Sequence, residues 1–129
     1  MSKFGALSRL PIVVSLDYDP AADKVIGFYR APVKMYIRSA YAIINTALNA
    51  GTENYYALNL VNAGTSGTAT TPIGGTIGGT AGLTAAVAHS FSIPAAGVEV
   101  AAGSILALRY DETGTGTFGQ VTIQVDATT

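Results

Sequence analysis

The sequence contains no cysteine and little charge. With no cysteine among 129 residues, the chain has no disulfide framework, no thiolate zinc site and no cysteine nucleophile. Charged residues make up 12% of the chain, whereas a soluble domain commonly has about 25%. Because a weakly charged surface favours association, we expect part of this surface to be covered by other protein chains.

Long apolar runs are also absent. The stretch from Leu10 to Leu16 ends at Asp17 and is far shorter than the roughly 18 residues that span a bilayer. No small-residue cleavage site follows it, so we expect neither a membrane segment nor a secretory signal. A chain of this length fits one domain. We divide it into an N-terminal arm, residues 1–9, which lacks β alternation, and a β-sandwich domain, residues 10–129.

The shortage of charge is concentrated in one window. From Asn54 to Val98, 45 residues, there is no Lys, Arg, Asp or Glu. Inside it, residues 64–84 are rich in glycine and threonine and contain the repeats Ile73-Gly-Gly-Thr and Ile77-Gly-Gly-Thr. Such a segment is typical of a flexible surface loop. The alternative is a loop ordered against a neighbouring subunit, where glycine permits close backbone approach.

Alternating apolar and polar residues predict β-strands. The clearest case is Gln120 to Asp126, where Val121, Ile123 and Val125 share one side. Further strands are predicted at residues 10–16, 24–30, 33–45, 55–62, 67–73, 85–93 and 104–110. Gly, Pro and Asn separate these segments, which indicates an all-β fold: a single-domain antiparallel β-sandwich, jelly-roll-like, with about eight strands.

One glycine motif matches the sequence pattern of a dinucleotide-binding site. Gly114, Gly116 and Gly119 match G-x-G-x-x-G, but that fingerprint follows a strand and opens a helix. Here a predicted strand follows the motif, so we interpret it as a hairpin loop.

Other residues that could support catalysis or metal binding lack the neighbours that such sites need. His89 is the only histidine, and its neighbour Ser90 would point to the opposite face of a strand, so we interpret it as structural or exposed. Asp17, Asp19 and Asp23 lack the spacing of a calcium loop and are assigned to a turn. We therefore predict that the protein is not an enzyme and has no catalytic residue, cofactor or metal site.

Tyrosines leave a sugar-binding role open. The chain has 7 tyrosines and no tryptophan. Tyr55 or Tyr56 could stack on a sugar, with polar partners drawn from Arg30, Arg38 and Asn59. Tyrosines at strand positions also fill half-buried β sites, and we favour that interpretation.

Charge is unevenly placed along the chain. Residues 1–38 carry a net charge of +3 and residues 39–129 a net charge of −4. Such an asymmetry can orient a subunit on a partner, although a solvated strand face explains it as well. Because phosphate binding needs a dense basic stripe, we expect no nucleic-acid partner.

Three segments and the final strand resemble a known family. The stretches FYRAPVKMYIRSAYAIIN, YYALNLVNAG and GVEVAAGSILALRYDETGTG, followed by QVTIQV, resemble small capsid decoration, or cement, proteins of tailed bacteriophages. The resemblance covers about residues 24–126. It implies a β-sandwich on the outer capsid surface of the virion, assembled as a homotrimer that bridges and stabilises neighbouring major capsid subunits.

The resemblance also suggests contact residues. Phe4, Leu7, Arg9 and Leu10 would anchor an arm on neighbouring subunits, and Ile73 and Ile77 would lie in a subunit-facing loop. The expected partners are further copies of this chain and the major capsid protein, without nucleic acid, membrane or cofactor. The alternative is a glycan- or receptor-binding sandwich of a phage fibre, tail or baseplate.

Overall fold

The computed structural model describes residues 9–17, 23–48, 50–51, 53–114 and 119–129. In this part of the chain it contains ten β-strands and one short 3-10 turn, Gly79–Ala81, between the sixth and seventh strands. None of the described helical structure is long and apolar enough to cross a membrane. The strands are β1 (Arg9–Asp17), β2 (Lys24–Arg30), β3 (Met35–Ile44), β4 (Tyr55–Asn62), β5 (Thr71–Pro72), β6 (Ile77–Gly78), β7 (His89–Phe91), β8 (Val98–Val100), β9 (Ile105–Thr113) and β10 (Gln120–Thr128).

The strands form two antiparallel sheets. The first sheet has the order β1-β10-β3-β7, and β8 continues its outer edge along β3. The second has the order β2-β9-β4-β5, and β6 continues its outer edge along β4. The chain passes from one sheet to the other between β1 and β2, β2 and β3, and β3 and β4. This nested order is that of a jelly roll, which confirms the predicted fold class.

Period-two alternation builds the core between the sheets. In β10, Val121, Ile123 and Val125 are fully buried, while the residues between them are partly exposed. Leu58 and Leu60 of β4 belong to the same apolar cluster. Burial of these side chains is the main stabilising contribution, because each fully buried large aliphatic side chain contributes about 1.5–3 kcal/mol.

Strands rich in β-branched and aromatic residues match the prediction closely, whereas two of the weaker predicted strands are shorter than expected. Residues 24–30 and 55–62 are strands with the predicted bounds. The strand predicted at 67–73 is reduced to Thr71–Pro72, and that at 85–93 to His89–Phe91. The short strands β6 and β8 were not predicted. Gly67 and Pro72 weaken the pattern in the first segment, and the second begins with an alanine-rich stretch in which Ala86 has φ +60°.

The glycine motif near the C-terminus is not in a hairpin. It lies between β9 and β10, which belong to different sheets, so the hairpin interpretation is wrong and the connection crosses the sandwich. Gly114 has φ +74°, as expected for a turn glycine. Residues 115–118 of the motif lie outside the described part of the chain.

Candidate interaction surface

The window without charge forms one long side of the sandwich. β5 and β6 are the outer edge of the second sheet, and β7 belongs to the outer edge of the first. All three strands lie in the window. We call residues 64–97 the uncharged side. The topology thus gathers the neutral part of the sequence on one surface.

The two sheet edges touch on this side. The backbone N–H of Gly75 donates a hydrogen bond to the carbonyl oxygen of Ser92, with a donor–acceptor distance of 3.1 Å. A Cβ on Gly74 would lie 2.9 Å from Ile93 Cδ1 and 3.0 Å from the Cβ of Phe91. Glycine at residue 74 therefore allows the backbones to approach closely, and the uncharged side is continuous from one sheet to the other.

Exposed side chains on the uncharged side are small and neutral. Threonine is the commonest exposed residue, and Val87 is the large hydrophobic one, 51% exposed. Charged groups are thus missing from a surface that water contacts in the single chain. The exposed residues are Thr65, Ser66, Thr68, Ala69, Thr70, Thr71, Pro72, Thr76, Thr80, Ala81, Thr84, Ala86, Val87, Ala88, Ser90, Ser92, Pro94, Ala95 and Ala96.

The isoleucines of the tandem repeat serve the chain's own core. Ile73 is 3% exposed and belongs to the main apolar cluster, and its backbone N–H bonds the carbonyl oxygen of Leu60 at 2.9 Å. Ile77 is half-buried against the same cluster. The side chain of Ile73 thus already has an apolar environment within one chain, whereas Ile77 remains partly exposed. The subunit-facing role predicted for these two residues stays a prediction.

The repeated glycines have different structural roles. Gly78 and Gly79 adopt φ values of +81° and +73°, in the left-handed region that favours glycine. A Cβ on Gly78 would also lie 2.7 Å from the carbonyl oxygen of Tyr56. Gly74 and Gly75 have no positive φ and instead permit the contact with residues 91–92. The repeat in sequence is not a repeat in structure.

The predicted arm lies largely outside the described residues. Phe4 and Leu7 fall in residues 1–8, which are not described. Arg9 and Leu10 begin β1, where their backbones pair with Thr128 and Ala127; their side chains are also outside the described part. The arm contacts therefore stay a prediction.

The residues suggested for sugar binding are not brought together. Tyr56 is 1% exposed, and its hydroxyl donates a hydrogen bond of 2.6 Å to Glu112 Oε2. It cannot stack on a sugar, so that candidate role is corrected. Tyr55 pairs with Thr113 at one end of β9, whereas Arg30 pairs with Ile105 at the other.

The other two polar candidates also have partners within the chain. The side-chain amide of Asn59 donates to Thr76 Oγ1 at 2.5 Å. Arg38 donates to Thr128 Oγ1 at 3.0 Å and to the carbonyl oxygen of Ala96 at 2.8 Å. Of the residues suggested for sugar binding, Tyr56 is thus buried, and Arg38 and Asn59 have hydrogen-bond partners within the chain.

The single histidine lines a shallow groove that is formed partly by the uncharged side. His89 Nε2 lies 2.8 Å from the carbonyl oxygen of Thr84, so in this arrangement the ring nitrogen donates a proton to that oxygen. The groove has a volume of about 290 Å³. It is lined by Ala47, Leu48, Ala50, Ala81, Gly82, Leu83, Thr84 and His89.

Carboxylates in the described residues make local contacts. Asp23 Oδ1 accepts a hydrogen bond from the backbone N–H of Glu112 at 2.9 Å. Asp111 pairs with Arg109 at 3.0 Å. Within the described ranges, no group of three or more His, Cys, Asp or Glu residues is arranged to hold a metal ion.

Comparison with known proteins gives one structural similarity. No protein-family model matches the chain, and no curated protein matches its sequence. A chain in a solved structure described as "Bacillus endospore appendages form a novel family of disulfide-linked pili" is similar, with 15% sequence identity and a TM-score of 0.48. The similarity covers 93% of this chain and 88% of the other.

Proposed function

We propose that this protein is a structural subunit of a larger assembly, and specifically that it decorates and stabilises a tailed-bacteriophage capsid as a homotrimer. The observation that carries the proposal is the uncharged side, a continuous exposed surface without a single charged residue among residues 64–97. The phage context comes from the resemblance of the sequence segments.

The physical argument concerns water and the edges of the sheets. Exposed sheet edges are commonly protected by charged side chains or proline. Here Pro72 and the shortness of β5, β6 and β7 interrupt pairing, but these three strands carry no charged side chain; the neighbouring charges are Glu99 on β8 and Arg38, which donates to the carbonyl oxygen of Ala96. Threonine, alanine and serine are small, so they lose little side-chain entropy when a partner covers them. A protein interface on this side therefore costs little desolvation of charge.

In a trimer, the uncharged side of each copy would contact the next copy. Rotation by a third of a turn closes such a heterologous contact into a ring. Each trimer then presents equivalent contacts to several capsid subunits, and linked contacts bind more tightly than one contact does alone. The function is mechanical: the trimer holds neighbouring capsid subunits together.

The test places a charge on the proposed interface. Thr71→Lys and Ala88→Lys each put an ammonium group at an exposed position of the uncharged side. Val13→Lys is the matched control, since Val13 is 64% exposed on β1 at the opposite edge of the first sheet. Sedimentation velocity measures the oligomeric state. Co-sedimentation with capsids of the phage that encodes the protein, assembled without it, measures decoration.

The wild type and Val13→Lys are expected to sediment as trimers and to bind capsids. The two uncharged-side variants are expected to sediment as smaller species and to bind more weakly. A wild-type protein that is monomeric and does not bind capsids would overturn the proposal. Equal trimer formation by all three variants would overturn the assignment of the interface.

A further inference from the structure

Charges on the sandwich are sorted between its two ends. Strand directions define the ends: Arg9, Thr128 and Tyr36 are neighbours at one end, and Asp17 and Gln120 are neighbours at the other. We call the end that holds Tyr36 the basic end and the end that holds Gln120 the acidic end. They are separated by the length of β3, ten residues, or roughly 30 Å.

Counting only the side chains that the structure describes, the basic end carries a formal charge of +2 and the acidic end −3. Arg109, at the centre of β9, pairs with Asp111 and partly offsets the acidic end. Asp126 lies between the two ends. The basic end has Arg30, Lys34, Arg38 and Glu99; the acidic end has Asp23, Lys24, Glu53, Asp111 and Glu112.

The separation of charge between the two ends differs from the separation along the sequence, where residues 1–38 are net positive and residues 39–129 net negative. Asp23 and Lys24 belong to the N-terminal part of the chain, yet the fold places them at the acidic end with Glu112. Because successive strands run in opposite directions, each end collects residues from the whole sequence. The structure therefore has a charge dipole along its long axis.

The two ends also differ in shape. At the basic end, the turn from β2 to β3 exposes Pro32, Val33 and Lys34, and Val33 is 48% exposed. At the acidic end lies the groove of about 290 Å³, between the connection from β3 to β4 and the segment around Leu83. Glu53 is exposed in that same connection. An exposed turn with basic neighbours thus lies at one end of the fold, and a groove with a carboxylate beside it lies at the other.

We propose that the basic end of one copy binds the acidic end of a second copy, head to tail. The occupant is another copy of this chain because a single chain supplies both complementary charges, the projecting turn and the groove. Opposite net charges attract over distances comparable with the Debye length, about 10 Å at 0.1 M salt. The contact is heterologous, so each copy keeps one unused end and further copies can add.

The head-to-tail contact differs from the proposed trimer contact in its dependence on salt, although part of the groove, Ala81–Thr84 and His89, also belongs to the uncharged side. The trimer contact on the uncharged side has no charge to screen and is therefore insensitive to salt. The head-to-tail contact depends on the opposite charges of the two ends and weakens as salt rises. Trimer formation and end-to-end association can therefore be measured separately on the same protein.

The experiment reverses the charge of each end and then mixes the variants. Arg30→Glu with Lys34→Glu changes the basic end from +2 to −2, and Asp23→Lys with Glu53→Lys changes the acidic end from −3 to +1. All four side chains are exposed. Sedimentation velocity at low salt is run on the wild type, on each double variant and on their equimolar mixture. Circular dichroism and thermal unfolding check that the variants fold.

At low salt, the wild type is expected to form larger species than at high salt, because salt screens the attraction between the two ends. Reversing the basic end should weaken this association by roughly tenfold or more, because like charges then face each other. Mixing the variants should restore larger species, because the reversed basic end of one variant then meets the reversed acidic end of the other, and their two unchanged ends also have opposite charges.

Three results would overturn the proposal. The first is a wild-type size that does not depend on salt or concentration. The second is unchanged association of a folded Arg30→Glu, Lys34→Glu variant. The third is a mixture no larger than its components. Asp23→Lys removes the hydrogen bond to the backbone of Glu112. If this substitution unfolds the protein, the single variant Glu53→Lys replaces the Asp23→Lys, Glu53→Lys double variant in every measurement.

Discussion

Gly75 donates its backbone N–H to the carbonyl oxygen of Ser92 across 3.1 Å, and this hydrogen bond joins the edge of one sheet to the edge of the other. Jelly-roll sheets often diverge at their sides, and the gap is then filled by side chains or water. Here neighbouring backbones fill it directly. The contact depends on residues that have no side chain, so it can be tested by adding one methyl group at a time.

Gly74→Ala is expected to lower the free energy of unfolding by about 1–3 kcal/mol through overpacking. Its Cβ would lie 2.9 Å from Ile93 Cδ1 and 3.1 Å from the carbonyl oxygen of Ser92. Gly75→Ala should cost less, because the nearest atoms to its Cβ would be Ser92 Cβ at 3.3 Å and the Ser92 backbone nitrogen at 3.8 Å. Urea unfolding of both variants measures the difference. An equal cost at the two positions would contradict the close contact at Gly74.

Gly78→Ala is expected to destabilise the protein more than Gly79→Ala. Both residues have positive φ, which costs an alanine about 1–2 kcal/mol. A Cβ on Gly78 also meets the carbonyl oxygen of Tyr56 at 2.7 Å, whereas a Cβ on Gly79 has nothing within 4 Å. We expect about 2–5 kcal/mol for Gly78→Ala, measured by chemical unfolding. The reverse order would show that the 3-10 turn adopts another conformation.

Ile73→Ala is expected to cost about 2–5 kcal/mol, as in other large-to-small substitutions in a core. Ile77→Ala should cost less because Ile77 is only half-buried. Thr71→Ala, at an exposed position of the preceding strand, is the control and should change stability by less than about 0.5 kcal/mol. Thermal unfolding at several protein concentrations checks this. If Ile73→Ala reduced oligomer formation without loss of monomer stability, its assignment to the core would fail.

Tyr56→Phe is expected to lower stability by about 1.5–3 kcal/mol, because the hydroxyl bonds a carboxylate in a partly buried position. Tyr55→Phe is the matched control in the adjacent residue, which faces the other side of β4, and should have little effect. Urea unfolding at neutral pH compares the two. Similar costs for both would mean that the bond to Glu112 contributes little.

Asp111→Asn is expected to change stability by less than about 1 kcal/mol. The pair with Arg109 is short, 3.0 Å, but the two side chains are 34% and 41% exposed, so water and salt screen it. Differential scanning calorimetry at low and high salt measures the effect. A larger loss would show that this ion pair is shielded from solvent.

Much of the fold could be predicted from the alternation of apolar and polar residues. Tyr55–Asn62 and Lys24–Arg30 have their predicted bounds because their side chains alternate between core and exterior. The pairing of strands could not be predicted in the same way. Nothing near Gly114 distinguishes a hairpin from a crossing between sheets, since the choice depends on which distant strands supply the edges.

The candidate surface was partly predictable. Absence of charge marked residues 64–84 as unusual, and most of their exposed side chains do form a neutral surface. The positions of Ile73 and Tyr56 were not predictable, because an apolar or aromatic residue next to glycine or in a strand can face either way. Their burial follows from the register of β4 with β9 and with the short edge strands.

By itself, the sequence determined the strand-forming segments, the shortage of charge and the lack of cysteine, because these depend on residue type and local period. Only the tertiary structure decided that the neutral window forms one side and that the charges divide between two ends. The physical reason is that the two sheets bring together residues from distant parts of the chain: Asp23 meets Glu112, and Gly75 meets Ser92. Such contacts depend on pairing and packing between strands, which no local stretch of residues encodes.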